Sequence, residues 1–416
     1  MARSLQSSRN MYRVTLLLLF VFKFIGLATV TVSSNQGNSK GKWRENALHF
    51  TGTKIEIVYN MLLSCLILAT NYVTVPALYS ADYTNKTSIT TLMEIFQGVI
   101  GSLLIFLTLL YYCMNQSALV RIGNYLIEAK DSLRRLQKPI DEKRVFRLFF
   151  VVYLLNFSLI VCLWVTDEAA FHNAPIVWLA NILPTIFVSM LYIQYFSVLT
   201  CIDAVFSKIN STIQDIHKSG YDGVRPNILQ HTRRICISPL TVQLLVQVRN
   251  LHEHLCDVSG KVSQFYAPPI LMATFFTFVT LLYNTYYLVE PFLSTSEYLD
   301  PVIMINTVFW LLALLYPFNL LTNKITSVTN EIERTGGVVH TLLNCTIDRG
   351  MKTELERFSL QLLHRKIRFT ANGYLELDNA SFQSMLSTVT MYMVVLIQFE
   401  IGSSNPEDLQ CNCTKQ

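Results

Sequence analysis

The stretch MYMVVLIQFE, residues 391–400, sets an amide beside a phenyl ring, Gln398 and Phe399, at the end of an apolar run. Two kinds of chemistry are open to that pair inside a bilayer. The amide can hydrogen-bond a neighbouring helix, worth about 0.6–2 kcal/mol. Where identical helices meet around a water-filled axis, it can instead coordinate a partly dehydrated cation, while the ring stops ions by dewetting. Adjacent residues lie about 100° apart around a helix, so a small rotation exchanges one for the other.

A second set of residues could hold a small organic molecule. Glu94 and Gln97 lie in one apolar run, Trp164 and Asp167 near the end of another, and Trp178 and Asn181 in a third. Tyr283, Asn284, Tyr287, Asn306 and Trp310 belong to two later runs. Aromatic walls with a few amide or carboxylate groups suit such a ligand; Trp and Tyr also anchor helices at the membrane surface. Glu94 stands out, because a carboxylate within an apolar span is costly and faces protein or water. No HExxH, Walker or GxSxG pattern is present, so neither enzyme chemistry nor a cofactor is indicated. The nine cysteines lack metal-like spacing apart from Cys411 and Cys413, which reads as unpaired thiols without a metal site. His252 and His254 are expected to be solvated on a helix outside the bilayer.

The elements that must position these groups are membrane helices. The 416 residues are 51% hydrophobic and only 15% charged, against about 25% charged in a soluble domain. Seven runs are long enough to span, since a transmembrane helix needs roughly 20 apolar residues: 54–76, 89–113, 145–165, 175–203, 264–290, 301–322 and 383–402. A weaker run, 12–33, contains Lys23. It could be a signal peptide or an eighth span; the charge pattern favours a membrane-associated helix that does not cross. Lys and Arg number seven in 1–53, seven in 114–144, seven in 204–263 and eight in 323–382. The alternate segments 77–88, 166–174, 291–300 and 403–416 hold one, none, none and one. Basic residues mark the cytoplasmic side, so the N-terminus is expected inside and the C-terminus outside. The basic residues are spread over four loops, which excludes a nucleic-acid patch.

The expected organisation is therefore all-α and polytopic. Residues 1–53 form a cytoplasmic N-terminus, 54–203 spans one to four, and 264–322 spans five and six. Residues 204–263 extend spans four and five into the cytoplasm, because TVQLLVQVRNLHEHL is apolar at helical spacing. Residues 323–382 form a cytoplasmic anchor with a helix over 353–369, 383–402 the last span, and 403–416 an outer tail. Asn372-Gly373 signals a turn; Asp378 is placed to cap the last helix, with Leu377 and Phe382 as its hydrophobic staple. On this topology two sequons, Asn85 and Asn412, lie outside; Asn85 is the expected glycan acceptor, since Asn412 is four residues from the end.

The C-terminal part resembles the insect gustatory receptors, whose signature is Thr-Tyr, five apolar residues and Gln-Phe. Tyr392, Gln398 and Phe399 match, residues 393–397 supply the apolar five, and Met391 replaces the threonine. Gly373, Leu377 and Asp378 match the upstream glycine and Leu-Asp, so the resemblance is specific over 372–399 and architectural elsewhere. It implies a ligand-gated, non-selective cation channel, a homo- or hetero-tetramer of related subunits with the last helix lining a central pore. It also implies small-molecule tastants, and a plasma-membrane location on the dendrites of gustatory neurons. The bitter or aversive class is expected, since no feature ties the chain to sugar sensing. With the signature present, Gln398 and Phe399 read as pore and gate. A G-protein-coupled receptor would need the N-terminus outside and an Asp-Arg-Tyr after the third span. A secondary transporter would show inverted repeats and broken helices.

Overall fold

The structure, a computed structural model, describes residues 19–34, 48–80, 88–171, 175–222, 239–293, 301–346, 348–365 and 367–403. Side chains at several helix ends, Phe399 among them, lie outside that description, as do Asn85 and residues 404–416. Among the described residues, seven helices are long and apolar enough to cross a membrane. They are α2 (Lys54–Ser80), α3 (Ser88–Met114), α5 (Glu142–Phe171), α6 (Pro175–Asp222), α7 (Pro239–Leu293), α8 (Pro301–Cys345) and α10 (Asn379–Ser403). Two amphipathic helices, α4 (Gln116–Arg135) and α9 (Arg349–His364), complete the long elements. Of a further helix, α1, residues 19–25 are described.

Helices α6, α7 and α8 run 48, 55 and 45 residues, or roughly 70–80 Å at 1.5 Å per residue, far beyond a hydrocarbon core of about 30 Å. The expected extensions of spans four and five are continuous helix, and α8 extends likewise. One end of the bundle thus carries the α2–α3, α5–α6 and α7–α8 connections; the other is a projecting helical bundle. Pro184 and Pro317 lie inside α6 and α8 without ending them. Helix α6 is the hub, packing on α2, α3, α4, α5, α7 and α8.

The projecting end is held by apolar packing and ion pairs. Arg249 of α7 pairs with Glu354 of α9 at 2.5 Å. Arg365, just past α9, holds Glu253 at 3.0 Å and also bonds Asp257. Asn210 of α6 donates to Glu331 of α8 and accepts from Thr335, both at 2.7 Å. His252 is not solvated as expected. It is buried between the rings of Phe206 and Phe358, each 5.4 Å away, with the Cys256 sulfur at 3.6 Å. Burial, with Arg365 adding to it, pushes its basicity down to about 4, so the ring is neutral at pH 7. His254 is partly exposed, its ring edge-on to Tyr125 at 5.5 Å.

The run 12–33 does not form one helix. It is helical over 19–25, turns at Gly26 (φ +89°), and continues extended into β1 (Thr31–Ser34), which pairs antiparallel with β2 (Leu48–Thr51). Leu27, Ala28, Thr29 and Val30 are buried. Buried extended backbone must find hydrogen-bond partners, and three side-chain amides supply them. Asn60 of α2 donates to the Gly26 carbonyl at 2.6 Å, Gln194 of α6 to Leu27 at 2.7 Å, and Gln116 of α4 to Thr29 at 2.6 Å. Lys23 pairs with the buried Glu56 at 2.7 Å.

After α9, the expected turn is present. Asn372 and Gly373 both take left-handed φ values, +53° and +77°, between β3 (Thr370–Ala371) and β4 (Leu375–Glu376). The Asp378 carboxylate accepts from the Ser381 N–H at 2.8 Å, capping the N-terminus of α10. Leu377 is buried, and the Phe382 ring packs on Phe318 of α8 at 5.9 Å.

Candidate ligand site and pore helix

Small residues on α3 let its neighbours approach at the short-loop end. A methyl group on Gly101 would lie 2.5 Å from Pro184 of α6 and 3.2 Å from Phe276 of α7, and one on Gly98 would lie 3.3 Å from Ala180. One turn from that notch, Tyr283 of α7 donates its hydroxyl to the Glu94 carboxylate at 3.0 Å. The Tyr283 and Tyr287 rings are 6.2 Å apart, and Tyr287 is 6.4 Å from Phe171 at the end of α5. Glu94, Tyr283 and Tyr287 are half-buried, sheltered but reachable. Gln97 is buried, and Asn284 is buried with its amide donating to its own helix at Thr280. The Thr280 hydroxyl and the Asn181 side-chain oxygen are buried without a hydrogen-bond partner. Buried polar atoms are normally paired, so the Asn181 oxygen can accept from, and the Thr280 hydroxyl can donate to or accept from, a ligand or water.

The remaining expected residues gather across α6, against α5 and α8. Trp164 and Trp178 meet edge to face at 5.5 Å. Trp310 is buried with Leu163, Ile182 and Ala313. Asn306 accepts from Thr166 at 2.9 Å and faces the buried Asp167 carboxylate at 3.5 Å. The Trp178 indole N–H is buried without a partner. The structure thus divides the expected ligand residues into an α3–α7 group and an α5–α6–α8 group. Phe171, which sequence reading passed over, links them through Tyr287. Its only signal was its place at the end of an apolar run, three residues past Glu168.

Helix α10 has two unlike faces. Met385, Val389 and Met393 are buried, turned toward α7 and α8, on which this helix packs. Ser384, Ser387, Thr388, Met391, Val394, Val395 and Gln398 recur at helical spacing on the open face, and all are exposed. Thr388 satisfies its hydroxyl at the Ser384 carbonyl, 2.8 Å away, a bond tolerable in lipid. The amide of Gln398 is exposed, and hydrocarbon would offer it nothing. Tyr392 touches Phe278 of α7 edge to face at 6.3 Å while half of it stays exposed.

Comparison with known proteins places this architecture. The profile of the 7tm Chemosensory receptor family matches residues 9–403. A protein of Drosophila melanogaster provisionally named gustatory receptor 28a is 25% identical over 297 residues, covering 64% of each chain. Its provisionally named relative 28b is 27% identical over 167 residues, 39% of this chain and 36% of that one. The matched stretches therefore span less than two thirds of either relative. The structure of the insect olfactory receptor OR5 from Machilis hrabei superposes with a TM-score of 0.62 at 12% identity, over 94% of this chain and 99% of that one. The same receptor in complex with eugenol gives 0.55 at 14% identity, over 95% and 99%. At those identities the likeness is one of fold.

Proposed function

The chain belongs to the 7tm Chemosensory receptor family, and from that premise we propose that it is a ligand-gated, non-selective cation channel opened by small-molecule tastants. The observation that carries this reading is the open face of α10, on which Ser384, Ser387, Thr388 and Gln398 stand among Met391, Val394 and Val395. A bilayer-spanning helix whose serines, threonine and glutamine line one uncovered face is costly in lipid, and becomes favourable where that face meets water. Several copies around one axis supply that water. The reading therefore includes a homo- or hetero-tetramer with α10 lining the pore, Gln398 at the ion path and Phe399 as the gate. The N-terminus lies in the cytoplasm and the C-terminus outside the plasma membrane, as the basic loops require. Bitter or aversive compounds are the ligand class assigned. The eugenol complex of OR5 supports a small organic ligand rather than a protein one.

The test is current through the purified protein reconstituted in a planar bilayer, without G-protein components, while a tastant panel is applied. Ligand-evoked, cation-carried current is expected; its absence for every compound that activates cells expressing the protein would overturn the channel reading. Phe399→Ala is expected to leak at rest, and Gln398→Ala to change unitary conductance or ion preference. Tyr392→Phe, whose ring keeps its contact with Phe278, is expected to preserve ion preference. If both pore variants reach the surface, stay closed at rest and conduct like the parent, α10 is not the pore.

A further inference from the structure

Helix α5 turns Val152, Asn156, Leu163 and Asp167 inward, against α6 and α8. Its opposite face carries Phe150, Val151, Leu154 and Phe157, each more than half exposed. The uncharged run from Leu148 to Thr166 is about 28 Å long at 1.5 Å per residue, close to the roughly 30 Å of a hydrocarbon core. That match puts Lys143, Arg144 and Arg147, which stand just before the run, at the level of the lipid headgroups.

All three are exposed. Other cations at this end are matched within the protein: Lys130 with Glu142 at 2.8 Å, Lys138 with Asp215 at 2.5 Å and Lys324 with Asp203 at 2.8 Å. Among the described residues no carboxylate forms an ion pair with Lys143, Arg144 or Arg147, and Asp141 is engaged by the Lys143 backbone N–H at 3.2 Å. Arg135, exposed in the last turn of α4, brings a fourth cation to this corner, because the Lys130–Glu142 pair ties α4 to the start of α5. Residues three and four apart on a helix are neighbours, and like charges so placed repel. Arg147 stands in that relation to both Lys143 and Arg144. Topology asks only for basic residues somewhere in the connection; it does not ask for them stacked on one lipid-facing turn.

An anion at headgroup level turns that repulsion into attraction, and basic clusters beside a membrane helix recruit anionic lipids. Arginine forks bind phosphate through two parallel N–H···O bonds. Two phosphomonoesters, each carrying about −1.5 to −2 charge at pH 7, match four cations, as the single net charge of phosphatidylserine does not. Phe146 and Phe150, with ring centroids 6.4 Å apart and nearly parallel, lie one turn beyond Lys143 and Arg147 and form an apolar ledge for the head of an acyl chain.

We propose that Lys143, Arg144 and Arg147 of α5, with Arg135 of α4, bind a membrane lipid whose headgroup carries two phosphomonoesters, a phosphoinositide bisphosphate. Its acyl chains lie along the exposed apolar face of α5. The site is separate from the ligand and pore readings, and the orientation proposed above decides only which leaflet supplies the lipid.

The probe is dioctanoyl phosphatidylinositol bisphosphate, titrated by calorimetry into the full-length protein in phosphatidylcholine nanodiscs, with protein-free nanodiscs as baseline. Dioctanoyl phosphatidylserine tests for bulk charge, and inositol trisphosphate, a headgroup without chains, for a free phosphate. The bisphosphate lipid is expected to bind about tenfold more tightly than either comparator. Arg144→Gln combined with Arg147→Gln should weaken it about tenfold, charge-assisted bonds being the strong ones. Arg147→Lys should weaken it at unchanged net charge, because the fork is lost. Lys352→Gln, which removes an exposed charge on α9, should leave it unchanged. Parent-like melting of the variants without lipid is expected and assigns the loss to the site rather than to the fold. Failure to bind, parity with phosphatidylserine or with the free headgroup, an affinity untouched in the arginine variants, or an equal loss in Lys352→Gln would overturn the site. Binding is read here without tastant or current, so the result stands or falls apart from the channel reading.

Discussion

Asp378 accepts the Ser381 N–H at 2.8 Å, five residues after the left-handed pair Asn372 and Gly373. An N-cap of this kind contributes about 1 kcal/mol, and asparagine can serve almost equally well. Asp378→Ala is therefore expected to lower the thermal midpoint of the purified protein, and Asp378→Asn to leave it near the parent value. Parent-like melting of the alanine variant would mean that tertiary packing alone sets where α10 begins. Such features are legible in sequence because the interacting groups sit within a few residues of one another. His252 was not legible for the opposite reason. Its environment is set by Phe206 on α6 and Phe358 on α9, and nothing in LHEHL distinguishes a caged histidine from a wet one. The same holds for Phe171, whose meaning comes from Tyr287 on another helix.

Among the elements, the buried extended segment 27–30 was the least legible, since its apolar run reads as helix until Gly26 turns the chain. Its backbone is held by amides from three helices, and Gln194 has a double role. It donates to the Leu27 carbonyl at 2.7 Å and accepts the Tyr112 hydroxyl at 2.7 Å. Gln194→Leu would orphan both groups, each costing about 1–3 kcal/mol when buried. A marked drop in thermal midpoint is expected, with trypsin reaching the N-terminal segment sooner. Unchanged melting would mean that water takes over both contacts and that the amide is dispensable. Gly26→Ala should act in the same direction, because its methyl would lie 2.5 Å from Leu109 and the φ of +89° disfavours any side chain. The helices themselves were readable to within a few residues at most ends, because length and apolarity are properties of the run. Where α6, α7 and α8 continue past the membrane, amphipathic spacing carried the first two and missed the third.

For the whole molecule, orientation is the property on which the pore and ligand readings depend. Asn85 is expected to carry the N-glycan, seen as a glycosidase-sensitive mobility shift that Asn85→Gln abolishes. A glycan at Asn344 would invert the topology. Asn210 is a poorer reporter, being buried with its amide engaged by Glu331. The seven-helix arrangement was legible from charge alternation and run length. The division of the candidate ligand residues into two groups was not, because it depends on which face of α6 each neighbour occupies.

One element joins the two ends of this arrangement. Helix α7 carries Tyr283 and Tyr287 near one terminus and Arg249 near the other, with no break between them. At 55 residues it amounts to a rod about 80 Å long along its path, with Pro268 and Pro269 near its middle, and where that pair transmits the motion a tilt of roughly 2° about one end sweeps the other through about 3 Å. That distance is comparable to a hydrogen bond. A ligand that leans this rod slightly would therefore work with mechanical advantage, and the far ion pairs would register an angle too small to notice at the site where it arose.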